Sequence, residues 1–184
     1  MTTAPADLDR SRSGFPGLPG ELRLDSPDTG DGASLWRIAR DSKVLDLNSP
    51  YSYLLWCRDF AGTSAVARDM SGQPVGFVSA YRRPEAPGTL FVWQVAVDEA
   101  LRGQGVAGAL LDGLTAREAR RSGGLRGLET TIEPGNTASE RLFAAYADRH
   151  GATLTREVLF APGHFPEGDG HAAEVLHRIA LPAR

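Results

Sequence analysis

The residues best suited to chemistry form one turn, Arg102-Gly103-Gln104-Gly105-Val106-Ala107-Gly108. Gly103 and Gly105 let the main chain approach a ligand with no Cβ in the way. After Gly105 the apolar residues Val106, Leu110, Leu111 and Leu114 recur at helical spacing. A helix start presents unpaired N–H groups and the positive end of the helix dipole, which together suit a phosphate or diphosphate. Arg102 adds a charged donor. The turn is built to hold an anion.

A strand must feed this turn, and Leu90-Phe-Val-Trp-Gln-Val-Ala-Val97 reads as one. Its β-branched and aromatic residues carry no charge before Asp98. The helix after the turn is expected over about 105–121. Upstream, Leu22 and Leu24 alternate with charges as a first strand. A helix from Asp31 or Gly32 places Leu35, Ile38 and Ala39 on one face. Ser49 as N-cap with Pro50 at the first helical position opens a second helix carrying Tyr51, Tyr53 and Trp56. Thr63 to Asp69 and Val75 to Tyr81 read as a hairpin. Downstream come a strand over 125–132, a helix from Pro134 to about His150, and strands over 153–160 and 174–179. This order implies an α+β fold: a mixed, mostly antiparallel central sheet flanked by helices, with one or two parallel crossings.

Residues 1–20, rich in Pro and Gly, read as a disordered N-terminal tail, and 21–184 as a single domain. The chain has 184 residues, enough to bury a sizeable core. A net charge of -3 and the lack of a Lys/Arg cluster argue against a nucleic-acid partner. One cysteine, Cys57, excludes an intrachain disulfide and a cysteine zinc site. No apolar run is long enough for a membrane span, and the start lacks the core of a signal peptide. A cytoplasmic location is expected. His150, His171 and His177 show no metal spacing with a carboxylate or cysteine, so no metal is expected.

The glycine turn admits three readings. It is a packing turn, a dinucleotide site, or an acyl-CoA site. Gly103, Gly105 and Gly108 fit G-x-G-x-x-G, with Glu129 or Glu133 downstream. A dinucleotide turn, however, follows its strand closely, whereas Asp98 to Arg102 intervene here. No Gly-Lys-Ser/Thr follows either, which excludes a P-loop.

Arg102-Gly-Gln-Gly105-Val-Ala107 resembles the R/Q-x-x-G-x-G/A signature of the GNAT acetyltransferases. Asn136-Thr-Ala-Ser-x-x-Leu-Phe143 resembles the next motif of that family. The resemblance spans about residues 20–180 and implies the GNAT fold with acetyl-CoA as co-substrate. It implies that main-chain N–H groups of Gly103, Gln104, Gly105, Val106, Ala107 and Gly108, with Arg102, bind the diphosphate. The strand from Gln94 through Val95 to Val97 would pair with the pantetheine arm. Asp46-Leu-Asn-Ser-Pro-Tyr-Ser-Tyr53, the strand ending at Val97 and His164-Phe-Pro-Glu-Gly-Asp169 resemble the diaminobutyrate acetyltransferase branch, which serves ectoine synthesis in osmoprotection. That branch implies transfer of acetyl to the 4-amino group of L-2,4-diaminobutyrate, and the family implies a homodimer. Another small diamine or amino acid as substrate, or a non-catalytic acyl-CoA-binding module, are the alternatives.

The chemistry then sets requirements. An alkyl ammonium must lose a proton before it attacks. The thioester carbonyl needs a donor, which the main chain near Gln94 or Val95 can supply. Many family members carry an acidic base on the central strand, but this strand has none. Glu167 is the first candidate base and Asp46 the second, and Asp46 is also a candidate for holding the unreactive ammonium. His164 is a candidate proton relay or carboxylate ligand. Where the family often has a tyrosine to protonate the thiolate, this chain has Phe143. Tyr146, one turn later, either reaches inward or packs in the core. Asn136 either caps its helix or binds cofactor. Trp93 and Tyr51 are candidates to wall or close the substrate pocket.

Overall fold

The computed structural model describes residues 22–121, 124–168 and 170–182. The tail expected over residues 1–20 lies outside the described residues. The strands are β1 (Arg23–Asp25), β2 (Ala65–Arg68), β3 (Pro74–Arg83), β4 (Ala86–Val97), β5 (Gly127–Ile132), β6 (Thr153–Phe160) and β7 (Glu174–Ala180). The helices are α1 (Gly32–Ser42), α2 (Pro50–Asp59), α3 (Val106–Ala119) and α4 (Thr137–Arg149), with short 3-10 turns between elements. No helix among the described residues is long and apolar enough to cross a membrane.

These strands make one sheet in the order β1-β2-β3-β4-β5-β7-β6. Every pairing is antiparallel except β4 with β5. That parallel pair needs a crossover, and α3 supplies it. Leu110, Leu111 and Leu114 of α3 pack with Phe143 and Tyr146 of α4 on one face of the sheet. On the other face Leu35, Ile38 and Ala39 of α1 meet Tyr53 and Cys57 of α2 over Phe77 and Ala96. The apolar spacing in α1 thus does what it predicts. Arg68 and Asp31 form a buried pair through two 2.7 Å bonds, fixing the start of α1 to β2.

Among the differences from the sequence reading are two strand starts and one capping bond. β2 starts at Ala65, because Ala61–Thr63 winds into a 3-10 turn and Thr63 Oγ1 donates to the Ala80 carbonyl at 2.6 Å. β4 starts at Ala86 and not near Leu90, because a register shift between Arg82 and Arg83 accommodates Pro87, which lacks a ladder donor. Ser49 is the N-cap of α2 as expected, but its hydroxyl bonds Ser52 Oγ at 3.1 Å and makes no capping bond.

Candidate active site

Between β4 and α3 the anion turn has the geometry its glycines allow. Gly103 has φ 74° and Gly105 φ 82°, left-handed values that strain any residue with a Cβ. Nothing stands within 4 Å of where a Cβ would be at either position. Gly105 is the N-cap of α3 and offers no side chain to its first turn, so those N–H groups are left for a ligand. A diphosphate suits this cradle.

Arg102, expected as a charged donor to the anion, also bonds the protein's own main chain. Its Nε donates to the Val97 carbonyl at 3.2 Å and its Nη2 to the Asp41 carbonyl at 3.3 Å. The guanidinium braces the turn against β4 and α1. Arg37 adds a second brace, holding both carboxylate oxygens of Asp98 at 2.8 and 3.1 Å. Gln104 folds back as well, donating to the Ala100 carbonyl at 2.9 Å.

Beside this turn the sheet opens. β4 and β5 pair over Thr89–Phe91 and Gly127–Glu129, and then diverge. On its other side β4 carries a bulge: Ser79 pairs with Gln94 and Ala80 with Val92, so Trp93 is the extra residue. A cavity of 440 Å³ fills the gap, walled by Val92, Trp93, Gln94 and Val95 from β4 and by Thr130, Thr131 and Ile132 from β5. Asn136 and Phe143 of the second motif also line it. The Asn136 side chain accepts from the Ser139 N–H at 3.1 Å, so it caps α4 and faces the cavity together.

Carboxylates ring the same cavity. Asp46, Glu133 and Glu174 line it. His171 joins them, with Nε2 3.3 Å from Asp46 Oδ2 and 4.0 Å from Glu174 Oε1, and Nδ1 3.4 Å from Glu133 Oε1. The four offer ligand atoms within 4.8 Å of one another. The sequence shows no metal spacing at His171, and it is the fold that brings these carboxylates to it. The four residues come from three separate segments, only His171 and Glu174 being near neighbours in sequence. The ring of Phe165 stacks on His171 at 3.8 Å and 5°, which fixes the imidazole plane. The His171 pKa is raised above 6.5, chiefly because Nδ1–H donates to the Ala172 carbonyl and further because Asp46 and Glu133 favour the cation, against some desolvation. Such a cluster is suited to cationic groups, and a neutral imidazole within it can accept a proton.

The remaining predicted residues fall into two groups. Trp93 belongs to the cavity wall and stacks on Trp56 at 4.6 Å. Glu167 and His164 are exposed on the loop between β6 and β7 and do not line the cavity; from the same loop His171, with Phe165 stacked on it, reaches the lining residues Asp46 and Glu133. Tyr51 is 65% exposed and stays outside, whereas Tyr53 is buried and donates its hydroxyl to Gln94 Oε1 at 3.1 Å. Tyr146 is buried in the core with its ring 4.3 Å from that of His150. Val97 ends β4 as the acceptor for Arg102. Burial pushes the Cys57 thiol up to about 12, so it stays an inert packing group.

Comparison with known proteins agrees with this geometry. Residues 33–147 match the model of the acetyltransferase (GNAT) family. The chain is 64% identical over 179 residues to the L-2,4-diaminobutyric acid acetyltransferase of Streptomyces avermitilis, covering 97% of each chain. It is 38% identical over 172 residues to the protein of that name from Marinococcus halophilus, covering 94% of this chain and 97% of that one. Among solved structures, the diaminobutyrate acetyltransferase of Paenibacillus lautus, in complex with its substrate L-2,4-diaminobutyric acid and coenzyme A, superposes with a TM-score of 0.80. Identity there is 42%, over 88% of this chain and 95% of that one. With the split strands, the glycine cradle and these matches together, the chain belongs to the GNAT acetyltransferase family.

Proposed function

We propose that this protein transfers the acetyl group of acetyl-CoA to the 4-amino group of L-2,4-diaminobutyrate, giving N4-acetyl-L-2,4-diaminobutyrate for ectoine synthesis. The observation that carries this reading is an acid-ringed cavity opening beside the glycine cradle, in a chain with near-full-length similarity to enzymes of that name.

Acetyl-CoA, when bound, supplies the acetyl group as a thioester. The turn Gly103–Gly108 holds the diphosphate through main-chain N–H groups, and the unpaired side of β4 over Gln94 and Val95 receives the pantetheine arm. Main-chain N–H groups next to the Trp93 bulge polarise the thioester carbonyl. Asp46, Glu133 and Glu174 bind the ammonium groups of the substrate, and Trp93 walls its carbon chain. His171 takes the proton that frees the attacking amine, a role its position among the three carboxylates favours over Glu167. The new C–N bond forms, the attacking nitrogen gives its second proton to solvent, the C–S bond breaks, and CoA leaves as thiolate to take up a proton from solvent. The ammonium of the substrate occupies the acidic cluster, so no metal ion is required.

The protein works in the cytoplasm as a homodimer. The edge strand β6 supports the dimer, since Val158, Leu159 and Phe160 are exposed on it and an uncovered apolar edge invites pairing. The experiment that tests the function is CoA release with diaminobutyrate, ornithine, lysine and an N-terminal peptide, with NMR of the product. Turnover confined to diaminobutyrate with acetyl at N4 supports the reading. Turnover of another amine replaces the substrate, and CoA binding without turnover removes the enzyme.

A further inference from the structure

Gln94 lies in the middle of β4 and is 5% exposed. A buried glutamine amide is costly unless both its ends are satisfied. Here both are. Nε2 donates to the Asp46 main-chain carbonyl at 2.9 Å, and Oε1 accepts from the Tyr53 hydroxyl at 3.1 Å. A carbonyl cannot donate, so the contact with Asp46 fixes which end of the amide is nitrogen. Tyr53 is itself 3% exposed and packs edge-on against Phe77 at 6.3 Å. The amide therefore ties a core helix, the central strand and the loop ahead of α2 to one another.

The loop needs this tie. The Asp46 side chain is 78% exposed and contacts His171 across the cavity mouth. Its main chain is the anchored part, held by Gln94 and by Asn48 Nδ2 at 3.3 Å. Lys43, just upstream, takes the left-handed φ of 59° that turns the chain out of α1 toward this anchor.

We propose that Gln94, oriented by Tyr53, is a positioning residue that sets where the Asp46 carboxylate stands over the cavity and so tunes affinity for the cationic substrate. This rests on the assignment of Asp46 to substrate binding made above. Gln94 acts through the Asp46 main chain; its side chain need not touch substrate.

The test is a double-mutant cycle. In Gln94→Leu the KM for L-2,4-diaminobutyrate rises about threefold to tenfold, the range one lost buried hydrogen bond moves. The KM for acetyl-CoA changes less than that for the amine, since the pantetheine arm meets the main chain of Gln94, which the substitution keeps. Gln94→Met, of similar length without the donor, reproduces the rise, and Tyr53→Phe gives a smaller one. In an Asp46→Ala background Gln94→Leu adds less than about twofold, because both act through one group. Additive effects, or an unchanged KM in both Gln94 variants, overturn the proposal.

A second readout needs no substrate. The His171 titration followed by NMR shifts downward in Gln94→Leu, as Asp46 leaves its place beside the ring, and an unmoved midpoint overturns the clamp. If the wild type does not acetylate diaminobutyrate, the functional reading fails while this measurement still decides the clamp. Should Gln94→Leu not fold, Tyr53→Phe carries both measurements.

Discussion

His171 bridges Asp46 and Glu133, its two ring nitrogens standing 3.3 Å from the Asp46 carboxylate and 3.4 Å from the Glu133 carboxylate. The contact joins the loop before α2 to the segment after β5, so the imidazole spans the cavity mouth. Its charge state then governs how much negative potential the substrate meets.

The pH dependence follows from the raised pKa of His171. The favourable charged contact is fully present below about pH 6.5, the ordinary value, and is lost as the pH rises through the raised value of the folded protein. Deprotonation frees both the carboxylates and the base. The kcat/KM for the amine therefore rises through a pKa above 6.5. His171→Gln removes that step and lowers kcat about a hundredfold, the lower range for a lost general base. A pH–rate profile of both proteins checks this.

The carboxylates that line the cavity are separable from the one that does not. Glu133→Gln and Glu174→Gln each raise the KM for diaminobutyrate about tenfold, the scale of one charge-assisted bond. Glu167→Gln, on the exposed loop, leaves it within about twofold, as surface changes do. Steady-state kinetics of the three variants decide the assignment.

The cradle predicts a selective loss. Gly105→Ala forces a Cβ into a φ of 82°, at a cost of about 1–2 kcal/mol. Calorimetric titration with CoA is expected to show weaker binding, while the KM for the amine is unchanged at saturating acetyl-CoA.

The buried pair Asp31–Arg68 is a stability element remote from the chemistry. Asp31→Ala leaves the Arg68 guanidinium uncompensated and costs about 3–5 kcal/mol. Urea unfolding measures that loss.

The elements were legible in the sequence because apolar period and turn chemistry are local. Leu35, Ile38 and Ala39 declare a helix face, and Gly103 with Gly105 declare a turn that only positive φ explains. The site was legible where a motif is contiguous, as at Arg102–Gly108 and Asn136–Phe143. It was not legible where folding assembles it. Asp46 and His171 lie 125 positions apart, and nothing near either names the other. Arg102 shows the converse: its type suggests an anion ligand, and the positions of Val97 and Asp41 add a brace that no local spacing announces.

Three rungs of main-chain pairing, Thr89–Phe91 against Gly127–Glu129, hold the two parts of the sheet together at its one parallel seam. They act like the spine of a book whose leaves are β1–β4 and β5–β7–β6. Trp93 and the Asp46 loop belong to the first leaf, and Glu133, Glu174 and His171 to the second. Beyond these rungs the two leaves part, and the width of that gap is what sets how far the Asp46 loop stands from Glu133 and Glu174.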